Sequence, residues 1–233
     1  MWTDAPDPYP KGQVTPYTPI LWPAGAVVDL VKPVEVKQSY GDVVAARRSN
    51  RSFGPLSTSD LSALLWYACR QVARRPSGLG FDLSLRHAPS AGAIHPIHVL
   101  VHSNGQSAWQ RYDAAEHRLV EVPRGVLAPQ SAVAEVSPAL ALENGTILWL
   151  AAEVGKTASK YANVESLIWR DAGALLAHLG LAASSLGLNF CPLGLTGAKW
   201  GLALYERKLI RGVGVALVGT PAIADIPRYC VQA

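Results

Sequence analysis

The sequence predicts an α+β fold in which helices flank a mainly antiparallel central sheet. Segments with strand character follow one another at short intervals, at 97–102, 109–113 and 118–122. The turn signal Asn104-Gly105 separates the first two, and such short connections favour antiparallel pairing. Apolar residues that recur at three- and four-residue steps over about 164–186 predict a long buried helix, which Gly187 terminates.

Other elements extend this pattern on both sides of those strands. A helix is predicted from about Asp42 to Arg48, and a second begins near Ser57, whose hydroxyl can cap it. The apolar residues of the second helix fall on one face and are Leu61, Leu64, Leu65 and Ala68. Further strands are predicted at 146–153 and 213–218, and a short apolar segment at 189–193 precedes the last of them. Residues 76–95, which are rich in Pro, Gly and Ser, are predicted to form a loop.

The chain divides into an arm and one domain. Residues 1–38 contain seven prolines and little periodicity, which predicts an extended N-terminal arm. Such an arm wraps over its own domain or over a partner subunit, and simple disorder is the alternative. Residues 39–233 show no internal repeat and no low-complexity linker, so we expect them to form a single domain.

Composition limits the classes of partner. The chain of 233 residues is 49% apolar and only 16% charged, which favours burial of some surface against another subunit or a large ligand. Its net charge of +4 is modest, and it lacks the long Lys/Arg runs with aromatic interleaving that are typical of nucleic-acid binders. We therefore expect no nucleic-acid partner.

The cysteines, the first residues and the apolar stretch near the end of the long helix predict the cellular compartment of the protein. Cys69, Cys191 and Cys230 are widely spaced and lack both a CxxC motif and a histidine at metal-ligand spacing, so neither a disulfide framework nor a metal site is predicted. The first residues lack the basic start and apolar core of a signal peptide. The apolar stretch 175–188 is too short to span a membrane. We expect a soluble, cytoplasmic protein with no membrane partner.

A basic cluster beside the first helix is the most informative feature of the chain. Arg47, Arg48, Ser49 and Arg51 place three guanidiniums and a hydroxyl within five positions. Like charges at this density repel one another. A phosphate group would resolve the conflict, because a guanidinium matches phosphate oxygens in a bidentate geometry. A solvated basic surface is the alternative interpretation.

A stretch of small residues is suited to contact with a flat ligand. Pro89, Ser90, Ala91 and Gly92 let backbone amides come close to a ligand that bulky side chains would exclude, although an ordinary turn is the alternative. His95 in the same stretch can either face a substrate or satisfy a backbone group. The histidines predicted to lie on the sheet surface are His98, His102 and His117.

A second such stretch follows the long helix. Gly194, after Leu193, can present its backbone N–H to a ring nitrogen of a flat ligand. An ordinary connection from helix to strand is the alternative interpretation. This stretch predicts a ligand contact only in combination with the other features of the chain.

Five motifs occur in order and together span about residues 45–221. They are RRSNRSF (47–53), LSTSDLSALLWYA (56–68), PSAGAIHP (89–96), RDAGALLAHLGLAASSLGLNFCPLG (170–194) and GVALVGTP (214–221). In this combination the chain resembles the nitroreductase-like flavoprotein superfamily. It is most similar to the SagB-type dehydrogenase branch, which includes the oxidases that make thiazoles and oxazoles in ribosomal peptides.

The resemblance implies a homodimer with the nitroreductase-like fold, in which FMN binds at the subunit interface and each site uses both chains. The residues implied to hold the phosphate and ribityl chain are Arg47, Arg48, Ser49 and Arg51. Those implied to contact the flavin ring are Pro89, Ser90, Ala91 and Gly92. Those implied to lie near the flavin N5 atom are Leu193 and Gly194. Arg228 resembles a basic residue that reaches the phosphate from the C-terminal part of the chain.

The pair Lys160-Tyr161 distinguishes the possible activities. In the azoline-oxidising branch a neighbouring Lys and Tyr precede the long helix, and the resemblance implies that they remove the ring proton. Aromatising a thiazoline or oxazoline needs a base for a C–H proton while hydride leaves for the flavin. A surface lysine beside a packing tyrosine is the alternative. The branch commonly has an Arg- and Gly-rich stretch after the pair, whereas this chain has 162–167, ANVESL.

We therefore predict an FMN-dependent dehydrogenase or oxidase of a peptide-derived azoline, in which oxygen reoxidises the flavin. A cyclodehydratase or a peptide synthetase would deliver the substrate. An NAD(P)H-dependent nitroreductase or enone reductase, with the opposite net hydride flow, is the second hypothesis. A flavin-free protein that uses the same fold for binding or scaffolding is the third. A yellow protein would exclude the third, and rapid bleaching by NAD(P)H would favour the second.

Overall fold

The fold is organised around a seven-stranded antiparallel sheet. The computed structural model describes residues 6–124, 126–138, 144–200 and 210–222. Their strands are β1 (Tyr9–Pro10), β2 (Val27–Asp29), β3 (Gln71–Arg75), β4 (Leu83–Arg86), β5 (Ile97–His102), β6 (Trp109–Asp113), β7 (Arg118–Val122), β8 (Thr146–Glu153), β9 (Tyr161–Ala162), β10 (Asn189–Leu193) and β11 (Ile210–Gly219). The order across the main sheet is β10-β11-β8-β5-β6-β7-β2, with antiparallel neighbours throughout. The predicted α+β class is confirmed.

The helices begin and end at recognisable signals. They are α1 (Tyr40–Ala46), α2 (Thr58–Cys69), α3 (Gln130–Val136), α4 (Val154–Ala158) and α5 (Glu165–Ser185). Ser39 and Ser57 cap α1 and α2, because each side chain accepts a hydrogen bond from the backbone N–H three residues later. Just beyond α5, Gly187 adopts the positive φ of 68° that favours glycine. Within the described ranges, no helix is both long and apolar enough to cross a lipid bilayer.

Each face of the sheet is covered by a hydrophobic core. On one face, Leu64 of α2 and Leu179 of α5 pack in a cluster that includes Val99 of β5. Full burial of each such side chain stabilises the fold by about 1.5–3 kcal/mol. The opposite face is covered partly by α3 and contains an aromatic group formed by Trp109, Trp149 and Trp200. The two helices with the strongest apolar periodicity thus lie on the same side.

Most predicted elements occur where the sequence places them. The predicted strands that occur with the predicted bounds are those at 97–102, 109–113, 118–122 and 146–153, and the short apolar segment 189–193 forms β10. The last strand is longer than predicted and spans Ile210–Gly219. The prediction of a loop throughout 76–95 is wrong, because β4 lies within it and pairs with β3. Most of β3 is exposed, so this hairpin lacks the alternating burial that identifies a strand in a sequence.

The N-terminal segment contacts the domain of its own chain. β2 extends the main sheet at the edge beside β7. Before it, the Gly25 N–H donates to the Glu121 carbonyl oxygen at 2.8 Å, and Ile20 and Trp22 pack against the aromatic core. Further upstream, β1 pairs with β9 in a separate two-stranded sheet. Pairing with distant strands therefore orders residues whose own sequence predicts only extended chain.

Candidate active site

The basic cluster lies in the segment that follows α1. Arg47, Arg48, Ser49 and Arg51 are exposed, and the three guanidiniums form no ion pair with any described residue. Arg48 donates instead to the carbonyl oxygens of Ala45 and Arg47, at 2.7 and 2.9 Å. An anionic ligand from solvent can therefore reach three guanidiniums that no carboxylate of the described residues neutralises.

The cluster is attached to the edge strand β10. The Asn50 backbone N–H donates to the Phe190 carbonyl oxygen at 3.1 Å, and the Asn50 side-chain amide donates to Oδ1 of Asn189 at 2.5 Å. Asn189 donates in turn to the Ser52 carbonyl oxygen at 2.7 Å. These bonds fix the backbone of the basic segment against the free edge of the sheet.

The same strand leads to the second stretch of small residues. β10 ends at Leu193, and the next residue, Gly194, is exposed; a Cβ placed there would meet no other atom within 4 Å. Its backbone is therefore open to a ligand. Arg51 lies beside Cys191 of this strand: burial raises the pKa of the Cys191 thiol, and the guanidinium opposes that shift. The structure thus brings the basic cluster and Leu193-Gly194 to one edge of the sheet.

The first stretch of small residues is held by a buried carboxylate of α5. The Ser90 hydroxyl donates to Oδ2 of Asp171 at 2.5 Å, and the Ala91 N–H donates to Oδ1 at 3.0 Å. The Ser90 oxygen also accepts a hydrogen bond from the His95 N–H at 3.0 Å. Burial raises the pKa of Asp171, and the two donors oppose that shift. We call residues 89–95, closed by these bonds, the small-residue loop.

Sequence analysis missed Asp171, although a signal for it exists. Asp171 interrupts the apolar face of α5 between Ile168 and Leu175, at the three- and four-residue spacing of that face. A carboxylate at a buried helical position requires hydrogen-bond donors from elsewhere in the fold. The small-residue loop supplies them.

We expect Asp171→Asn to destabilise the protein. Asparagine keeps one oxygen acceptor but places an N–H donor against the Ser90 hydroxyl, which now donates to the carboxylate. Hydrogen bonds to charged groups contribute about 1.5–3 kcal/mol, so the free energy of unfolding in urea should fall by about that amount. Asp29→Asn, at an exposed carboxylate of β2, is the control. Equal effects of the two substitutions would contradict the role given to Asp171.

Lys160 and Tyr161 converge on the small-residue loop at Gly92. A Cβ at Gly92 would lie 3.0 Å from the Tyr161 hydroxyl oxygen and 3.1 Å from Nζ of Lys160. Gly92 also has a φ of 64°, in the left-handed region that favours glycine. Both the backbone conformation and the close approach of two polar groups therefore favour glycine here. The structure brings the predicted catalytic pair to the loop that was predicted to contact the ring.

A buried polar cluster lies next to this loop. His98 donates from Nε2 to Oε2 of Glu153 at 2.9 Å. Burial lowers the pKa of His98 to about 4, so at neutral pH a neutral imidazole bonds a carboxylate. Burial also lowers the pKa of Lys156 to about 8, and its Nζ lies 3.5 Å from the His95 carbonyl oxygen. The cluster supports the strand and helix that precede Lys160.

The prediction that His98, His102 and His117 lie on the sheet surface is wrong. His102 and His117 are buried, and the His98 side chain is only 17% exposed. Each ring has a polar neighbour; Nδ1 of His117, for example, lies 2.8 Å from the Tyr112 hydroxyl oxygen. Burial lowers the pKa of all three. Both faces of this sheet are covered, so alternate strand positions do not reach solvent.

The basic cluster and the small-residue loop are attached at opposite ends of α5. At the C-terminal end, Ser184 donates to the carbonyl oxygen of Val43 in α1, the helix that precedes the cluster, at 3.1 Å. The loop is attached at Asp171 instead. With a helical rise of 1.5 Å per residue, these two attachment points are about 20 Å apart along α5. Within one chain, the residues predicted to bind the phosphate and those predicted to contact the ring are therefore held at two separate places on α5. Arg228 lies outside the described residues.

Comparison with known proteins identifies a family. The nitroreductase family model matches residues 44–204, which is more than half of the chain. No curated protein gives a significant match. Among solved structures, a candidate nitroreductase from Ralstonia eutropha JMP134 is 21% identical with a TM-score of 0.61, and the match covers 90% of this chain and 98% of that one.

Two further structures share the fold. A nitroreductase with bound FMN from Bacteroides fragilis NCTC 9343 is 14% identical, with a TM-score of 0.51 and coverage of 84% of this chain and 96% of that one. A chain of the E. coli microcin synthetase McbBCD complex, with truncated pro-MccB17 bound, is 17% identical, with a TM-score of 0.55 and coverage of 88% and 79%. The match of the family model to most of the described domain establishes that this chain belongs to the nitroreductase family.

Proposed function

We propose that this FMN-dependent oxidoreductase of the nitroreductase family is a SagB-type dehydrogenase, which oxidises a thiazoline or oxazoline in a peptide-derived substrate to the thiazole or oxazole. The observation that carries the proposal is the convergence of Lys160 and Tyr161 on Gly92. Dehydrogenation of an azoline must remove a proton from carbon, so it needs a base. A reductase that receives hydride from NAD(P)H has no carbon acid to deprotonate.

The residues of the site fit FMN. Three exposed guanidiniums without an ion pair among the described residues suit its phosphate, and the open backbone at Gly194 suits a closely approaching ring. We assign the phosphate and ribityl chain to Arg47, Arg48, Ser49 and Arg51. We assign the faces of the ring to Pro89, Ser90, Ala91 and Gly92. We assign the surroundings of N5 to Leu193 and Gly194.

The reaction removes two hydrogens from the azoline ring. FMN, when bound, would supply the two-electron acceptor for the hydrogen that leaves as hydride, with oxygen as the final oxidant. The other hydrogen leaves a ring carbon as a proton, and we assign its removal to Lys160 and Tyr161. Since both polar atoms lie near one point above Gly92, an azoline bound against the small-residue loop would meet the two together.

A peptide-derived substrate accounts for the partner that we propose. The microcin synthetase chain with this fold acts within a complex that has truncated pro-MccB17 bound, which supports a peptide substrate by analogy of fold. A thiazoline or oxazoline arises by cyclodehydration of a cysteine, serine or threonine residue. We therefore propose that a cyclodehydratase or a peptide synthetase supplies the substrate to this protein.

We expect an obligate homodimer in which each flavin site uses both chains. The points at which α5 holds the two segments are about 20 Å apart along the helix, so we propose that the loop of one protomer completes the cluster of its partner. α5 also exposes Trp169, Gly173 and Ala177 along one uncharged stripe that can form the contact. Light scattering at low micromolar concentration should give twice the chain mass, with FMN and dimer lost together in urea. A monomer that retains flavin would contradict this expectation.

The test of function compares two electron donors. The flavin-loaded protein is mixed without oxygen with a thiazoline peptide and, separately, with NADPH, while absorbance of the flavin is followed. We expect the peptide to bleach the flavin and to lose the mass of two hydrogens. The same peptide already containing the thiazole is the matched control and should have no effect. Rapid bleaching by NADPH, with no oxidation of any azoline peptide, would replace the proposal with the reductase function.

A further inference from the structure

Residues 7–20 of the N-terminal arm, which we call the strap, run antiparallel along residues 153–163. This second segment carries Lys160 and Tyr161. Contacts follow one another in order along its length, and the contacting pairs are Asp7 with Asn163, Tyr9 with Ala162, Pro10 with Tyr161, Lys11 with Lys160, Thr15 with Ser159, Tyr17 with Gly155, and Ile20 with Glu153. The strap therefore follows the backbone of the proposed catalytic pair from one end to the other.

Hydrogen bonds from the strap hold the turn that leads into the pair. The Lys11 N–H donates to the Lys160 carbonyl oxygen at 2.9 Å, and the Thr15 N–H donates to the Ser159 carbonyl oxygen, also at 2.9 Å. Nζ of Lys11 donates to the Ala158 carbonyl oxygen at 2.6 Å. Ala158 is the last residue of α4, where helical carbonyl groups lack intrahelical partners and a cation is favourable. Lys11 thus bonds two successive parts of the turn.

The strap also fixes the beginning of the segment. The Ile20 N–H donates to Oε1 of Glu153 at 2.6 Å, while Oε2 of the same carboxylate accepts the bond from His98. The Tyr17 ring fills the space above Gly155, where a Cβ would overlap the ring. At the other end, β9 pairs only with β1 among the strands of the described residues. The two-residue strand that contains Tyr161 therefore owes its sheet pairing to the strap.

We propose that the strap is a positioning element of the active site, which holds the backbone of Lys160 and Tyr161 so that both side chains reach Gly92. The inference rests on the proposed function and extends it to the arm. The hydrogen bonds that Lys11 and Thr15 donate go to backbone carbonyl oxygens around the pair, so we assign them as positioning residues rather than catalytic ones. Displacement of a catalytic group by about 1 Å can reduce a rate about 10²-fold. Neither residue belongs to a hydrophobic core cluster, so changing them leaves the core intact.

Thr15→Pro tests the strap in the full chain, with Thr15→Ala as its matched control. Proline has no backbone N–H and removes the bond to Ser159, whereas alanine keeps that bond and loses only the side chain. We expect Thr15→Pro to slow single-turnover reduction of the flavin by the azoline peptide at least about tenfold, because the pair is displaced. Thr15→Ala should react at the wild-type rate. Flavin content and bleaching by dithionite should be the same in both.

Lys11→Met and Lys11→Arg provide a second pair. Methionine removes the bond to the Ala158 carbonyl oxygen but keeps the apolar stem, and arginine restores a donor. Azoline oxidation should fall in the first variant and recover in the second. An equal loss in both variants, or in Thr15→Ala and Thr15→Pro, would overturn the assignment to these hydrogen bonds.

Hydrogen exchange separates failure of this inference from failure of the proposed function. Peptides covering 153–163 should exchange faster in Thr15→Pro than in Thr15→Ala, while peptides from α5 stay protected. Unchanged exchange in Thr15→Pro, or an unchanged rate of azoline oxidation, would overturn the positioning role. A third result would separate the two ideas: the wild type oxidises no azoline, but exchange over 153–163 is faster in Thr15→Pro than in Thr15→Ala. The proposed function would then be wrong, whereas the role of the strap in positioning Lys160 and Tyr161 would be supported.

Discussion

Lys160→Ala and Tyr161→Phe should each slow oxidation of an azoline peptide by about 10²–10⁴-fold, the usual contribution of a general base. Both variants should keep FMN and the dimer, because neither residue belongs to the basic cluster or to the β10 edge. Phenylalanine also preserves the packing of the Tyr161 ring against the small cluster around Leu79 and Ile94. The measurement is single-turnover reduction of the flavin by the peptide, compared with reduction by NADPH.

The comparison of electron donors distinguishes loss of a base from general damage. Lys37→Ala and Tyr40→Phe change the same residue types at exposed positions outside the site and serve as controls. Reduction by NADPH should be little affected in all four variants, because it deprotonates no carbon. Wild-type rates of peptide oxidation in both Lys160→Ala and Tyr161→Phe would remove the pair from the mechanism. Equal losses with both donors would indicate a disturbed flavin site instead.

Arg51→Ala should weaken FMN binding by about 10- to 100-fold. Hydrogen bonds to a charged group contribute about 1.5–3 kcal/mol, and each 1.4 kcal/mol is a factor of ten in affinity. The adjacent Asn50 is bonded to β10 through both its backbone and its side chain, so the segment should keep its place when the guanidinium is removed. Fluorescence titration of the apoprotein with FMN measures the affinity directly.

Two further substitutions sharpen this test. Arg51→Lys keeps the charge but loses the bidentate geometry, so its affinity should fall between those of the wild type and Arg51→Ala. Arg75→Ala removes an exposed arginine of β3, far along the chain from the cluster, and should leave FMN binding unchanged. Purification of folded Arg51→Ala with a full complement of FMN would be incompatible with a phosphate site at the basic cluster.

Much of the fold could be predicted from the sequence because its main elements carry their own signals. The central strands alternate with turn residues, and α5 repeats apolar residues at helical spacing over its whole length. Ser57 identifies the start of α2 through a bond to its third following residue, which depends only on local sequence. Such elements need no knowledge of their neighbours, so their bounds were predicted closely.

The remaining features depend on partners far away in the chain. β1 and β9 are two-residue strands that exist because they pair with each other, and neither has a pattern of its own. In the sequence, Asp171 is a charged residue on an apolar helix face, and only the fold shows that the Ser90 hydroxyl donates a hydrogen bond to it. The buried histidines are similar, since the polar neighbour of each is fixed only by tertiary contacts. Candidate site residues can therefore be proposed from the sequence, whereas the contacts that hold them become visible only in the fold.

The separate attachment points on α5 have a consequence for how such enzymes diverge. Substitutions whose sites are more than about 10 Å apart usually have additive effects on stability. The basic segment near Ser184 and the loop on Asp171 are farther apart than this, at about 20 Å along the helix. Within one chain, substitutions in the small-residue loop and substitutions in the basic segment should therefore change the free energy of unfolding independently of each other. A lineage with this helix can vary the loop without destabilising the segment that carries the three guanidiniums.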